Sequence, residues 1–141
     1  MARILVIDDS VSILAFMEQV LTSAGHIVVP VSSGDQGIKA LKSVAMDLII
    51  TDIYMPEMDG MEIMRSLRRL NINTPVVAIS SKMDAMGMNK MVRAMGAWDT
   101  LKKPFNSAEL IAVVEKALRT PVNPNPSVLA HSVQKLAPKQ S

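Results

Sequence analysis

The chain has 141 residues, 49% of them hydrophobic, which suits one domain with a real core plus a short extension. It contains no cysteine, which excludes a disulfide framework and a thiolate metal site. The formal charge of +2 does not mark a nucleic-acid binder: residues 1–119 hold 13 Lys/Arg and 13 Asp/Glu, the excess comes from Lys135 and Lys139, and no basic stripe or reading helix is present. No stretch approaches the roughly 20 apolar residues that span a bilayer. The first residues carry no cationic region followed by a long apolar one, so a soluble cytoplasmic protein is the expectation.

The pattern along the chain alternates. Arg3-Ile4-Leu5-Val6-Ile7 reads as a strand and ends in Asp8-Asp9. A helix is predicted over 11–24, with Gly25 as its stop. Strand 26–31 precedes a helix over 34–45, capped by Ser32 or Ser33. Strand 47–51 leads into Asp52 and the loop Ile53-Tyr54-Met55-Pro56-Glu57-Met58-Asp59, and a helix over 60–70 follows. Then come strand 75–80, helix 84–95, strand 97–101 and a helix over 107–119. That last helix opens on Asn106-Ser107-Ala108-Glu109, the spacing of a capping box. Continuous apolar runs of this length read as strands buried on both faces of a parallel sheet. Five βα units in a row predict a doubly wound α/β fold with helices on both faces.

In such a sheet the C-terminal ends of the strands share one edge, where ligands bind. Asp8, Asp9, Asp52 and Lys103 each lie at such an end, so they are expected to meet. Three carboxylates at close range raise one another's pKa values unless a cation intervenes. Taken singly, each has an ordinary reading. Asp8-Asp9-Ser10 reads as an N-cap cluster, Asp52 as a loop cap, Lys103 as a solvated lysine and Ser80-Ser81 as ordinary strand-end residues. Together, on separate strand ends, they point to one site.

Beyond Arg119 the composition changes. Thr120-Pro121-Val122-Asn123-Pro124-Asn125-Pro126 has three prolines and reads as an extended linker. Residues 127–141 carry Val128, Leu129, Val133 and Leu136 at near-helical spacing, too short a stretch to fold alone. Disorder is the expectation for this tail, with a docking segment as the alternative.

Ile7-Asp8-Asp9-Ser10, Thr51-Asp52 with Met55-Pro56 and Asp59-Gly60, Ser80-Ser81, Gly96-Ala97 and Lys103-Pro104-Phe105 occur in that order, each at the end of its own strand. In this respect residues 1–119 resemble the receiver domain of a two-component response regulator, of the stand-alone type akin to chemotaxis regulators. The resemblance implies a flavodoxin-like sheet of order 2-1-3-4-5. It also implies Asp52 as phosphoacceptor and Mg²⁺ as cofactor, held directly by Asp9, Asp52 and the backbone carbonyl of Tyr54, with Asp8 acting mostly through a water. Lys103 would pair with the phosphoryl oxygens, Ser80 would donate its hydroxyl to one, and the Lys103-Pro104 bond would be cis. The chemistry agrees: a carboxylate forms an acyl phosphate, and phosphoryl transfer needs mainly positioning and charge neutralisation.

The implied function is a phosphorylation-activated switch. A histidine kinase or histidine phosphotransfer protein would donate, a downstream protein would read the 84–119 face, and the chain would be a monomer or weak dimer. By resemblance Tyr54, Ser81 and Lys82 tune the switch or its lifetime. The family's aromatic three positions before the lysine is Thr100 here, which implies a two-state shift with altered coupling; Trp98 either contributes or merely covers the neighbouring helix. Nine of the 12 methionines fall between Met55 and Met95. Met83, Met86, Met88, Met91 and Met95, in or near the fourth helix, either fill core or form an adaptable docking face. Two other functions compete. A docking pseudo-receiver is disfavoured by the intact Asp8, Asp9, Asp52, Ser80 and Lys103. An aspartyl-phosphate phosphotransferase or hydrolase would need a second Asp where Tyr54 stands.

Overall fold

Five strands form one parallel sheet of order β2-β1-β3-β4-β5: β1 (Arg3–Ile7), β2 (Ile27–Val31), β3 (Leu48–Asp52), β4 (Val76–Ser80) and β5 (Asp99–Lys102). The sheet comes from a computed structural model, which describes residues 1–55, 60–82 and 87–119. The helices are α1 (Val11–Ser23), α2 (Gly34–Ser43), α3 (Gly60–Arg69), α4 (Met88–Ala94) and α5 (Ser107–Arg119). The expected loop at 56–59, the positions of Met83 and Met86, and the expected linker and tail at 120–141 lie outside the described residues.

The continuous apolar runs have a direct cause. Successive residues of a strand point to opposite faces, and here both faces are covered. Leu5, Ile7, Ile49 and Ala78 pack with Leu41 of α2, Ile63 and Leu67 of α3 and Val92 of α4. Ile4, Val6, Ile50, Val77 and Ile79 pack with Met17 and Leu21 of α1 and Leu110, Val113 and Val114 of α5. Each such valine, leucine, isoleucine or methionine side chain contributes about 1.5–3 kcal/mol on burial, so the centre of the sheet is where the core is concentrated.

Local signals set most boundaries. Ser10 caps α1 and accepts from the N–H of Ile13, while Gly25 ends the helix at φ +95°. Ser33, not Ser32, caps α2, accepting from the N–H of Gln36. The capping box before α5 is reciprocal: Asn106 N donates to Glu109 Oε1 at 3.0 Å and Glu109 N to Asn106 Oδ1 at 2.8 Å. Most boundaries fall within a residue or two of expectation; α2, for example, ends at Ser43 rather than 45. Of the expected helix over 84–95, residues 84–86 lie outside the described residues; α4 starts at Met88, after Gly87 in the left-handed conformation at φ +78°. The fifth strand starts at Asp99 rather than 97, with Trp98 N donating to Val76 O at 2.7 Å just before it.

Candidate functional site

The register brings the ends of β1, β3 and β4 side by side, with Ile7 opposite Thr51 and Asp52 opposite Ile79. Asp8 follows β1, and its backbone N–H is held by Val31 O at 3.2 Å. Its side chain is fully buried. Oδ1 accepts from the N–H of Ser10 at 2.8 Å, which turns the chain into α1. Asp9, the next residue, is exposed at the mouth. Asp52 is the last residue of β3 and only 6% exposed. Its Oδ1 accepts from Tyr54 N at 3.3 Å, and its own carbonyl accepts from the buried Thr51 hydroxyl at 3.0 Å. Oxygens of Asp8, Asp9 and Asp52 lie within 4.8 Å of one another.

Lys103 enters this cluster from the loop after β5. Its backbone N–H donates to Ser80 O at 3.0 Å, and the Lys103-Pro104 bond is cis. Its ammonium lies 2.8 Å from Asp8 Oδ2 and 3.1 Å from Asp52 Oδ2. The contact to Asp52 is a hydrogen bond. The contact to Asp8 is an ion pair whose geometry leaves Oδ2 as a buried side-chain oxygen with no hydrogen bond. Lys103 therefore pairs with two carboxylates of the protein itself.

The electrostatics explain why a cation is needed. Two like charges within 4.8 Å of each other repel by ~3.5 kcal/mol or more at an effective dielectric of about 20. Burial pushes the Asp52 carboxyl above its ordinary range; the Lys103 hydrogen bond opposes that rise, and the charge of Asp8 adds to it. The charge of Asp8 thus raises the pKa of Asp52 as expected, and desolvation is the larger cause. Burial also works against the charge on Lys103, but its close contacts with the Asp8 and Asp52 carboxylates outweigh that and raise its pKa.

The donor set fits a hard divalent cation. Three carboxylates face one point, Asp8 Oδ2 is short of a hydrogen-bond donor, and a small hard ion prefers oxygen ligands of this kind. Around this point the remaining predicted residues fall into place unevenly. Ser80 ends β4, fully buried, with its hydroxyl accepting from Lys82 N at 2.9 Å. Ser81 and Lys82 are exposed. Tyr54 is half-exposed, and Lys82 Nζ sits 5.3 Å from the centre of its ring, a cation–π distance. Thr100 lies opposite Ala78 within the sheet, two residues short of the Ser80–Lys102 pair. Trp98 packs at the margin of the α1/α5 core, with Lys116 Nζ 5.8 Å from its ring centre. Of the methionines near α4, Met88 is buried and Met95 packs against the core, which leaves Met91, 46% exposed, as the one described residue of that set on the surface.

Sequence reasoning missed two supports of the site. Gly60 begins α3 where a Cβ would stand 2.7 Å from Asp52 O and 2.8 Å from Ile53 Cδ1, so only glycine lets the helix start there. The Asp59-Gly60 pair was the available signal. Phe16 of α1 stacks on Phe105, with ring centroids 6.1 Å apart; nothing local in the sequence links those two positions.

Residues 4–115 match the response regulator receiver domain. The chain is 32% identical over 117 residues to the alkaline phosphatase synthesis transcriptional regulatory protein PhoP of Bacillus subtilis, covering 83% of this chain and 48% of that protein. It is 33% identical over 117 residues to the cell cycle transcriptional regulator CtrA of Caulobacter vibrioides, covering 83% and 50%. The chain thus spans about half the length of the curated relatives it matches. Among solved structures it superposes on the chemotaxis protein CheY4 of Vibrio cholerae with a TM-score of 0.79 and 29% identity, covering 84% of this chain and 99% of that one. NtrX of Brucella abortus, in complex with ADP, gives a TM-score of 0.79 and 29% identity, covering 96% and 30%. With the order 2-1-3-4-5 and the clustered strand ends already established, the chain belongs to the response regulator receiver domain family.

Proposed function

We propose that the protein is a phosphorylatable signalling switch that takes a phosphoryl group on Asp52 from a histidine kinase or phosphotransfer protein. The observation that carries this is the placement of Asp52: buried at the end of β3, within reach of Asp8, Asp9 and the Lys103 ammonium. An Asp52 carboxylate oxygen forms a bond to phosphorus, the donor's bond to phosphorus breaks, and that electron pair leaves with the donor. Asp8, Asp9, Asp52 and the Tyr54 carbonyl would hold Mg²⁺, which when bound neutralises charge on the phosphoryl oxygens. Lys103, already between two carboxylates, turns to those oxygens, and Ser80 exchanges its contact with Lys82 N for one with phosphate. The modification adds nearly two negative charges and biases a two-state equilibrium through the strand-end loops.

The partner would dock on the face formed by residues 84–119 and read the state through protein contacts, in the cytoplasm. In this reading the chain does not bind nucleic acid. Tyr54 and Lys82 would shield the acyl phosphate from water. Incubation with Mg²⁺ and a small phosphodonor, followed by intact-mass measurement, tests the reading. The chain gains one phosphate and Asp52→Asn gains none; equal uptake by that variant, or no uptake by the parent chain, overturns it.

A further inference from the structure

Lys103 must reach carboxylates on two different strands from a loop that belongs to neither. Its backbone is fixed on one side by the hydrogen bond to Ser80 O. On the other side, two residues on, Phe105 turns its ring onto Phe16, with centroids 6.1 Å apart and planes tilted by 52°. Both rings are half-buried at the margin of the core formed by α1 and α5 with the sheet. A tilted pair at this separation is a favourable aromatic geometry. Phe16 lies in α1, the helix that Ser10 caps directly after Asp8 and Asp9. The interval from Asp9 to Phe16 is about two helical turns. One rigid helix therefore starts at the two acidic residues and, further along, carries the prop for the loop that delivers the ammonium.

We infer that Phe16 is a positioning residue for Lys103: its ring holds Phe105, and thereby sets how far the Lys103 ammonium enters between Asp8 and Asp52. The inference rests on the switch reading for its consequence but not for its geometry. If Phe16 were only core filler, Leu would replace it with a change in stability alone. If it is a prop, losing the ring lets the loop settle and moves the ammonium away from Asp8, whose Oδ2 then has no charge partner.

The test uses the full chain with ¹³C-labelled lysine, the Lys103 ε-methylene signal being assigned by its loss in Lys103→Met. In Phe16→Leu this signal shifts toward the position of an exposed lysine while that of Lys39 stays in place, and Phe16→Tyr restores it. Phe105→Leu, which removes the other ring, reproduces the shift and guards against a poorly folded Phe16 variant. The rate of phosphate uptake from a small phosphodonor in Mg²⁺ falls on the order of tenfold in Phe16→Leu, the scale of a modest misplacement of a charged group, and does not fall further when Phe16→Leu is added to Lys103→Met. An unmoved Lys103 signal in a folded Phe16→Leu protein overturns the inference. So does an equal loss of rate with and without Lys103. If the parent chain takes up no phosphate, the switch reading fails, and the lysine signal still decides the role of Phe16.

Discussion

Lys103→Met should make the folded protein depend on a divalent cation. The substitution keeps the apolar stem and removes the charge that sits 2.8 Å from Asp8 and 3.1 Å from Asp52. The Lys103 side chain is 18% exposed and that of Asp8 not at all, so this is a buried cluster rather than a surface pair. Removing one partner of such a pair costs about 3–5 kcal/mol, because the other charge stays buried and unpaired. Proton uptake by Asp52 and water at Asp9 relieve part of this, which leaves a loss of about 3 kcal/mol. For a domain of this size that is a fall in Tm of roughly 10 °C. A cation that binds only the folded state at 100 times its Kd returns ~2.7 kcal/mol. The gain should be larger in the variant than in the parent, since no ammonium competes for the same oxygens. Thermal unfolding followed by circular dichroism, with and without Mg²⁺, measures both effects. A variant as stable as the parent without metal, or an identical Mg²⁺ increment in the two, would refute the reasoning.

The pH dependence of Asp52 has a definite sign. Its folded pKa is raised above the ordinary 3.8, so between that value and the raised one the folded state holds more protons than the unfolded state. Stability contributed by this group therefore falls as pH rises through the window, and the penalty is complete above it. Asp52→Asn should accordingly be more stable than the parent at neutral pH without metal, with a flatter stability profile on the acid side, as urea unfolding at several pH values would read. Lys103, raised above 10.5, contributes stability that is present below that value and is lost as strongly alkaline pH passes through its folded pKa. Gly60→Ala must displace the backbone oxygen of Asp52, at a cost of about 1–3 kcal/mol, and should slow phosphate uptake. Gly25→Ala, where the added carbon meets nothing within 4 Å but φ is +95°, should cost about 1–2 kcal/mol and leave uptake unchanged. Tyr54→Ala removes the ring that Lys82 covers and should speed loss of the phosphate, as a time course of intact mass would show; an unchanged rate discards the shielding role.

The charge cluster was legible because each member ends its own apolar run, and parallel strands must bring such ends to one edge. The strand order itself came by resemblance, and the register then confirmed it. What the local sequence does not encode is how the charges are neutralised. Lys103 and Asp8 are far apart along the chain, and whether the lysine faces solvent or a buried carboxylate depends on loop packing against Ser80 and Phe16. The same limit explains the pKa of Asp52: reading three acids predicts repulsion, but only the depth at which β3 ends shows that burial matters more. The left-handed turn at Gly87 was missed because the methionine pattern runs through it.

The departure at Thr100 gains meaning from its neighbours. Asp99 Oδ1 accepts from both the N–H of Thr100 and Nη2 of Arg93, at 2.8 Å and 2.7 Å. Arg93 also donates to Asn89 Oδ1 at 2.7 Å, and Arg68 of α3 donates to Met95 O at 2.9 Å. The C-terminal end of α4 is thus held by two arginines, one reaching β5 and one coming from α3. Among the described residues its N-cap, Gly87, has no side-chain capping hydrogen bond. Exposed pairs of this kind contribute about 0.2–1 kcal/mol each, so the anchors bias the helix without freezing it. Arg93→Ala should therefore leave Tm almost unchanged while amide exchange across 88–95 accelerates; equal exchange would mean that the clasp does not hold the helix. With no bulky ring at position 100, the clasp of Arg93 on Asp99 ties α4 to β5 beside that position.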